Sequence, residues 1–155
     1  MSASIPAEIR RLAELRGIGH FKRAHIGKAQ AAMSKLGIPS SSELFIFCSE
    51  YCLGNLVSET SDEILVDVSE PSEEIASGTR FAHEVWELPG EYICLCSCQG
   101  EGGYLYSKVT QEIYDFSLEN REEFLHRPHA RWRSFYDFIS WYLSTGGDAS
   151  ALPTG

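Results

Sequence analysis

Cys94, Cys96 and Cys98 stand at alternate positions, the pattern in this chain most suggestive of metal chemistry. A strand would point all three thiols to one face but hold neighbours about 6.5–7 Å apart. Zinc takes thiolate sulfur at about 2.3 Å, which requires neighbouring sulfurs much closer together than that. The three are therefore expected to be small buried side chains, a common place for free cysteine. Cys48 and Cys52 are one helical turn apart, toward the C-terminal end of an expected helix. The backbone dipole there opposes a thiolate, so packing is expected of them rather than nucleophilic catalysis.

His126 and His129 form an H-x-x-H pair beside Glu122 and Glu123. Pro128 disfavours helical geometry before it, and no further ligand is indicated. His83-Glu84 lacks the second histidine four residues on that a zinc-protease helix requires. Gly27-Lys28 has neither the preceding glycine nor the following hydroxyl of a phosphate-binding loop, and Gly17-Ile18-Gly19 follows no strand. No serine sits in a G-x-S-x-G elbow. The expectation is a non-enzymatic chain with no catalytic residue, no metal site, no cofactor and no small-molecule substrate.

Charge is distributed more tellingly than its net value of −9. Residues 1–49 carry +4, residues 50–91 carry −10 and residues 92–155 carry −3. An acidic field repels nucleic-acid phosphate and steers basic proteins, so direct nucleic-acid binding is not expected and a basic protein partner is. The expected docking residues are Glu59, Asp62, Glu63, Asp67, Glu70, Glu73 and Glu74, with Trp86 as an aromatic anchor. Trp141 and Tyr136 are further aromatic candidates. The bland reading stands beside this one: an acidic run that solvates a face, and aromatics that belong to the core.

The elements that would carry these residues begin with helices. Ile5, Ile9, Leu12 and Leu15 recur near helical spacing until Gly17, and an alanine-rich, basic stretch from about Lys22 to Leu36 ends at Gly37. Ser40 and Glu43 have capping-box spacing ahead of a helix over roughly 41–53. From Ile64 the pattern turns to short β-type runs: 64–68, 81–86, 92–98, 104–106 and 112–116. A charged linker follows, then a helix through Trp132, Phe135, Phe138, Ile139, Tyr142 and Leu143 that stops at Gly146. This predicts an α+β fold, an antiparallel sheet of about five strands covered by N-terminal helices and a C-terminal helix.

No apolar run approaches the roughly 20 residues that span a bilayer, and the N-terminus lacks a secretory-signal pattern. Five cysteines are an odd number for a disulfide framework. A cytoplasmic protein with reduced thiols and no membrane association is expected.

Three segments together resemble the SUKH superfamily of bacterial toxin-immunity proteins and fungal regulators of cell-wall synthesis. They are Leu36-Gly37-Ile38-Pro39 with Leu44, Phe47 and Tyr51; Gly103-Tyr104-Leu105-Tyr106 with Glu112-Ile113-Tyr114-Asp115; and Ser134-Phe135-Tyr136-Asp137-Phe138-Ile139 leading to Leu143. The chain departs from the family pattern at Ser107, in a hairpin turn without glycine, and in its N-terminal extension. The resemblance implies a single SUKH-like domain over 1–147 with a helical extension over 1–21 and a flexible tail over 148–155. It also implies a role: binding and neutralising a cognate bacterial toxin, for which a basic nuclease would suit the charge. The alternative is a scaffold or regulatory protein that binds an endogenous partner.

Overall fold

The apolar spacing near the C-terminus becomes helix α6, Phe135–Thr145, in a computed structural model that describes residues 4–20, 23–53, 65–69, 73–96 and 102–147. Ser134 caps its start by accepting a hydrogen bond from the Asp137 amide, and Gly146 ends it in the left-handed conformation at φ 70°. Its buried side chains include Phe135, Phe138, Ile139, Tyr142 and Leu143, and full burial of each contributes roughly 1.5–3 kcal/mol. Tyr104, Trp132 and Phe138 pack ring against ring beneath it, with centroids 4.9–5.6 Å apart.

Helices α1 (Ala7–Leu15), α2 (Arg23–Lys35) and α3 (Glu43–Glu50) precede the sheet as expected. Helix α1 packs on α6, and the Arg16 guanidinium donates to the Leu143 carbonyl at 2.8 Å. Ile5, Ile9, Leu12 and Ala13 belong to the same hydrophobic core as α6, so the N-terminal segment is built into the domain. Helix α2 ends as its sequence suggests: Gly37 takes φ 80°, and the Ile38 and Gly37 amides return to Met33 and Ser34. The start of α3 differs from the expected capping box. Ser42, not Ser40, is the cap, accepting from the Phe45 amide at 3.2 Å.

The β structure is smaller than expected. The main sheet has three antiparallel strands, β3 (Tyr92–Cys94), β4 (Gly102–Ser107) and β5 (Ile113–Ser117), with β4 in the middle. Two-residue strands β1 (Gly19–His20) and β2 (Tyr51–Cys52) pair separately. Of the run 64–68, Leu65 makes one isolated bridge to Cys96, so no five-stranded sheet forms among the described residues. The β-type run 81–86 is instead the end of helix α4, Glu73–Glu84, and the turn after it. Gly78, Ala82 and Trp86 are buried at four-residue intervals, and α4 packs on β3. Packing of that stripe outweighs the β propensity of Phe81, Val85 and Trp86. The expected linker also holds a short helix, α5 (Arg121–His126), which lies against β5. The tail expected over 148–155 lies outside the described residues.

Candidate functional site

Two of the expected docking residues point inward. Asp67 is 4% exposed, and its carboxylate accepts from the Ser69 amide at 2.9 Å, the Ser69 hydroxyl and the Cys52 thiol. Three donors make it an internal anchor for the 67–69 turn, so it is removed from the docking set. Trp86 is fully buried between Phe81 and Phe116, with centroids at 5.2 and 4.8 Å. It serves the core and cannot anchor a partner from there. Tyr136 and Trp141 are likewise buried. Glu59, Asp62, Glu63 and Glu70 lie outside the described residues, as do the side chains of Glu73 and Glu74, whose backbone opens α4.

The cysteines and histidines divide by environment. Cys48 is fully buried, and that burial, with Asp67 nearby, pushes its thiol well above the ordinary range. Such a thiol is a poor nucleophile. Cys94 is disulfide-bonded while Cys48, Cys52 and Cys96 are free, so the expectation of uniformly reduced thiols fails at Cys94. The His83 ring nitrogen Nε2 donates to the Tyr92 carbonyl at 2.8 Å and ties α4 to β3. Among the described residues no three His, Cys, Asp or Glu side chains are grouped to hold a metal ion.

Among the described carboxylates that reach solvent, Glu84, Glu87, Glu119, Glu122 and Glu123 lie on two segments that Arg121 joins, the end of α4 with its closing turn and the stretch leading into α5. After Glu84 the Val85 and Trp86 amides turn back to the Phe81 carbonyl, and the Leu88 amide returns to Ala82. This closing turn forces Glu87 to φ 54°, a left-handed conformation in which glycine is the favoured residue. The Glu87 side chain is 76% exposed. Arg121 locks the arrangement from the other side. Its Nε donates to the Trp86 carbonyl at 2.7 Å, and its two terminal nitrogens pair with Glu87 at 3.3 Å and Glu122 at 2.9 Å. Glu84, Glu119 and Glu123 are exposed on the same two segments, and so are the apolar side chains of Val85, Leu118 and Leu125. The result is a shoulder of carboxylates interspersed with exposed apolar groups, a composition suited to a basic protein surface.

A cleft of about 290 Å³ opens between β5 and α5, lined by Asp115, Phe116, Glu123, Arg127, His129 and Arg131 among others. Asp115 touches solvent, yet the cleft walls desolvate its carboxyl and raise it above the usual carboxylate range, with the Arg131 charge acting in the opposite sense. The His129 Nδ1 donates to the Ala130 carbonyl at 3.0 Å, leaving Nε2 as an acceptor in the neutral ring. An imidazole and two carboxylates thus share one cleft. Among the described residues no hydrogen bond joins His129 to Asp115 or Glu123, so they form no base-and-orienter relay of the kind acid–base catalysis uses.

The docking set expected from sequence contains none of the shoulder carboxylates, neither Glu84 and Glu87 nor Glu119, Glu122 and Glu123. The signal available is the i, i+3 and i+4 repetition of acids at Glu119, Glu122 and Glu123 in a segment that reads as linker. No helix among the described residues is long and apolar enough to cross a membrane. Compared with known proteins, the chain matches no family model, no curated protein and no solved structure.

Proposed function

We propose that this chain is a non-enzymatic protein-binding domain that docks a basic partner on the α4–α5 shoulder. The observation that carries this reading is Glu87. A solvent-exposed carboxylate occupies a left-handed backbone position, where a non-glycine residue costs about 1–2 kcal/mol of local strain. Among the described residues the contact this acid makes that glycine would lack is the ion pair with Arg121, and pairs open to solvent contribute about 1 kcal/mol or less. A docking carboxylate accounts for its presence. Arg121 holds Glu87 and Glu122 in place before any partner arrives, which reduces the ordering cost of association.

The partner we propose is a cognate bacterial toxin, neutralised by occlusion. The resemblance to SUKH immunity proteins and the net charge of −9 support this choice, since an acidic inhibitor associates rapidly with a basic enzyme. The test is co-expression with the product of the adjacent gene, followed by co-purification and a toxicity rescue assay. Rescue with a stable complex is the expected result. Absence of both would remove the immunity reading and turn the search to an endogenous partner of a scaffold or regulator.

A further inference from the structure

The β4–β5 turn, α3 and the start of α6 enclose a second cleft, of about 220 Å³, which the docking surface does not use. Its geometry begins at Ser107. The Ser107 hydroxyl oxygen accepts from the Val109 and Thr110 amides, and its carbonyl accepts from the Gln111 amide at 2.8 Å. This tight closure sets Gln111 at φ 62° with no glycine to relieve it. Gln111 and Thr110 form one wall, and Arg133 and Ser134 form another.

Tyr106 forms the floor. It is fully buried, and among the described residues its hydroxyl has no hydrogen-bond partner, a state that is costly for a buried donor. Ser42 lies close enough to influence the phenol, but its hydroxyl already donates to the Pro39 carbonyl at 2.6 Å and accepts from the Phe45 amide. Burial raises the phenol above its ordinary range, so Tyr106 keeps its proton and remains a donor. Arg133 is exposed and makes no ion pair among the described residues. The start of α6 adds its own partial positive charge, which Glu43 partly answers by accepting from the Tyr136 amide at 2.9 Å.

We propose that this cleft binds a carboxylate group, held by the Arg133 guanidinium, the Gln111 side-chain amide and the Tyr106 hydroxyl. Donors dominate the lining, and one guanidinium matches one planar monoanion. Glu43 beside the site and the acidity of the chain weigh against a dianionic phosphate. The cleft is smaller than most metabolite pockets, which run to about 300–1,000 Å³, so it suits a chain end or a very small acid. A free organic acid and the C-terminus of a peptide present the same group.

The experiment is an amide NMR titration of the full chain at constant ionic strength. The probes are sodium acetate, trialanine and C-terminally amidated trialanine. Saturable shifts at Gln111, Ser134 and Phe135 are expected with at least one of the two free carboxylates and none with the amide. Tighter binding of trialanine than of acetate assigns the site to a peptide end, and the reverse assigns it to a free acid. Arg133→Gln and Tyr106→Phe should each weaken binding about tenfold. Tyr106→Phe removes a hydroxyl that is unpaired among the described residues, so folding is expected to be retained and the effect read on binding. Non-saturating shifts with both free carboxylates, equal binding of amidated trialanine, or wild-type affinity in both variants would overturn the proposal.

Discussion

Beneath α6, aromatic rings cover one another and leave almost nothing to solvent, whereas at the α4–α5 shoulder carboxylates and aliphatic groups stand exposed around one arginine. The first region is locally consistent: cap, spacing and terminator all favour the same helix. The second contains a residue that opposes its own backbone, Glu87, and is held by Arg121. Packing accounts for the rings of the first region, although the buried Trp132 indole N–H has no hydrogen-bond partner among the described residues, and it accounts for the second region less completely.

The largest effect is expected at Phe138, which touches Tyr104 and Trp132. Phe138→Ala should destabilise the chain by about 3–5 kcal/mol in denaturant unfolding. A loss under about 1 kcal/mol would mean that the rings do not form the principal core. Glu87→Gly acts on the shoulder instead. It relieves the left-handed strain and should raise stability by about 1 kcal/mol while weakening partner binding. A destabilised variant would show that the ion pair with Arg121 outweighs the strain.

The smallest effect concerns Asp115. Desolvation raises its folded pKa, so the folded chain holds this proton more tightly than the unfolded chain does. Between the unfolded and folded pKa the folded state binds more protons, and stability falls as pH rises through that window. Asp115→Asn should therefore gain stability relative to wild type as pH increases from about 4 to 7. Parallel stability curves for the two proteins would remove the desolvation argument.

The elements legible in sequence are those whose local signals agree. Helices α1, α2 and α6 combine apolar spacing with Gly17, Gly37 and Gly146, all three at positive φ. Helix α4 is hidden because Gly78 resembles a break and the run after it resembles a strand. In the structure Gly78 and Ala82 are buried small residues on the stripe that approaches β3, a tertiary reason invisible to periodicity alone. Helix α5 is six residues long with no buried side chain, too short for an amphipathic pattern. Asp67 carries a usable clue, since Ser69 two residues later completes an Asx-type turn around an inward carboxylate. The positive φ of Glu87 and Gln111 has no such clue, because both arise from how a turn must close between packed elements.

The most direct test of the docking assignment is the affinity of the double charge reversal Glu87→Lys with Glu122→Lys for the adjacent-gene product, measured by surface plasmon resonance at low and physiological salt. A loss of at least about tenfold is expected, carried mainly by slower association and largest at low salt, with folding stability changed by less than about 1 kcal/mol. Wild-type affinity and association rate in the reversed protein would contradict it and move the interface away from the shoulder.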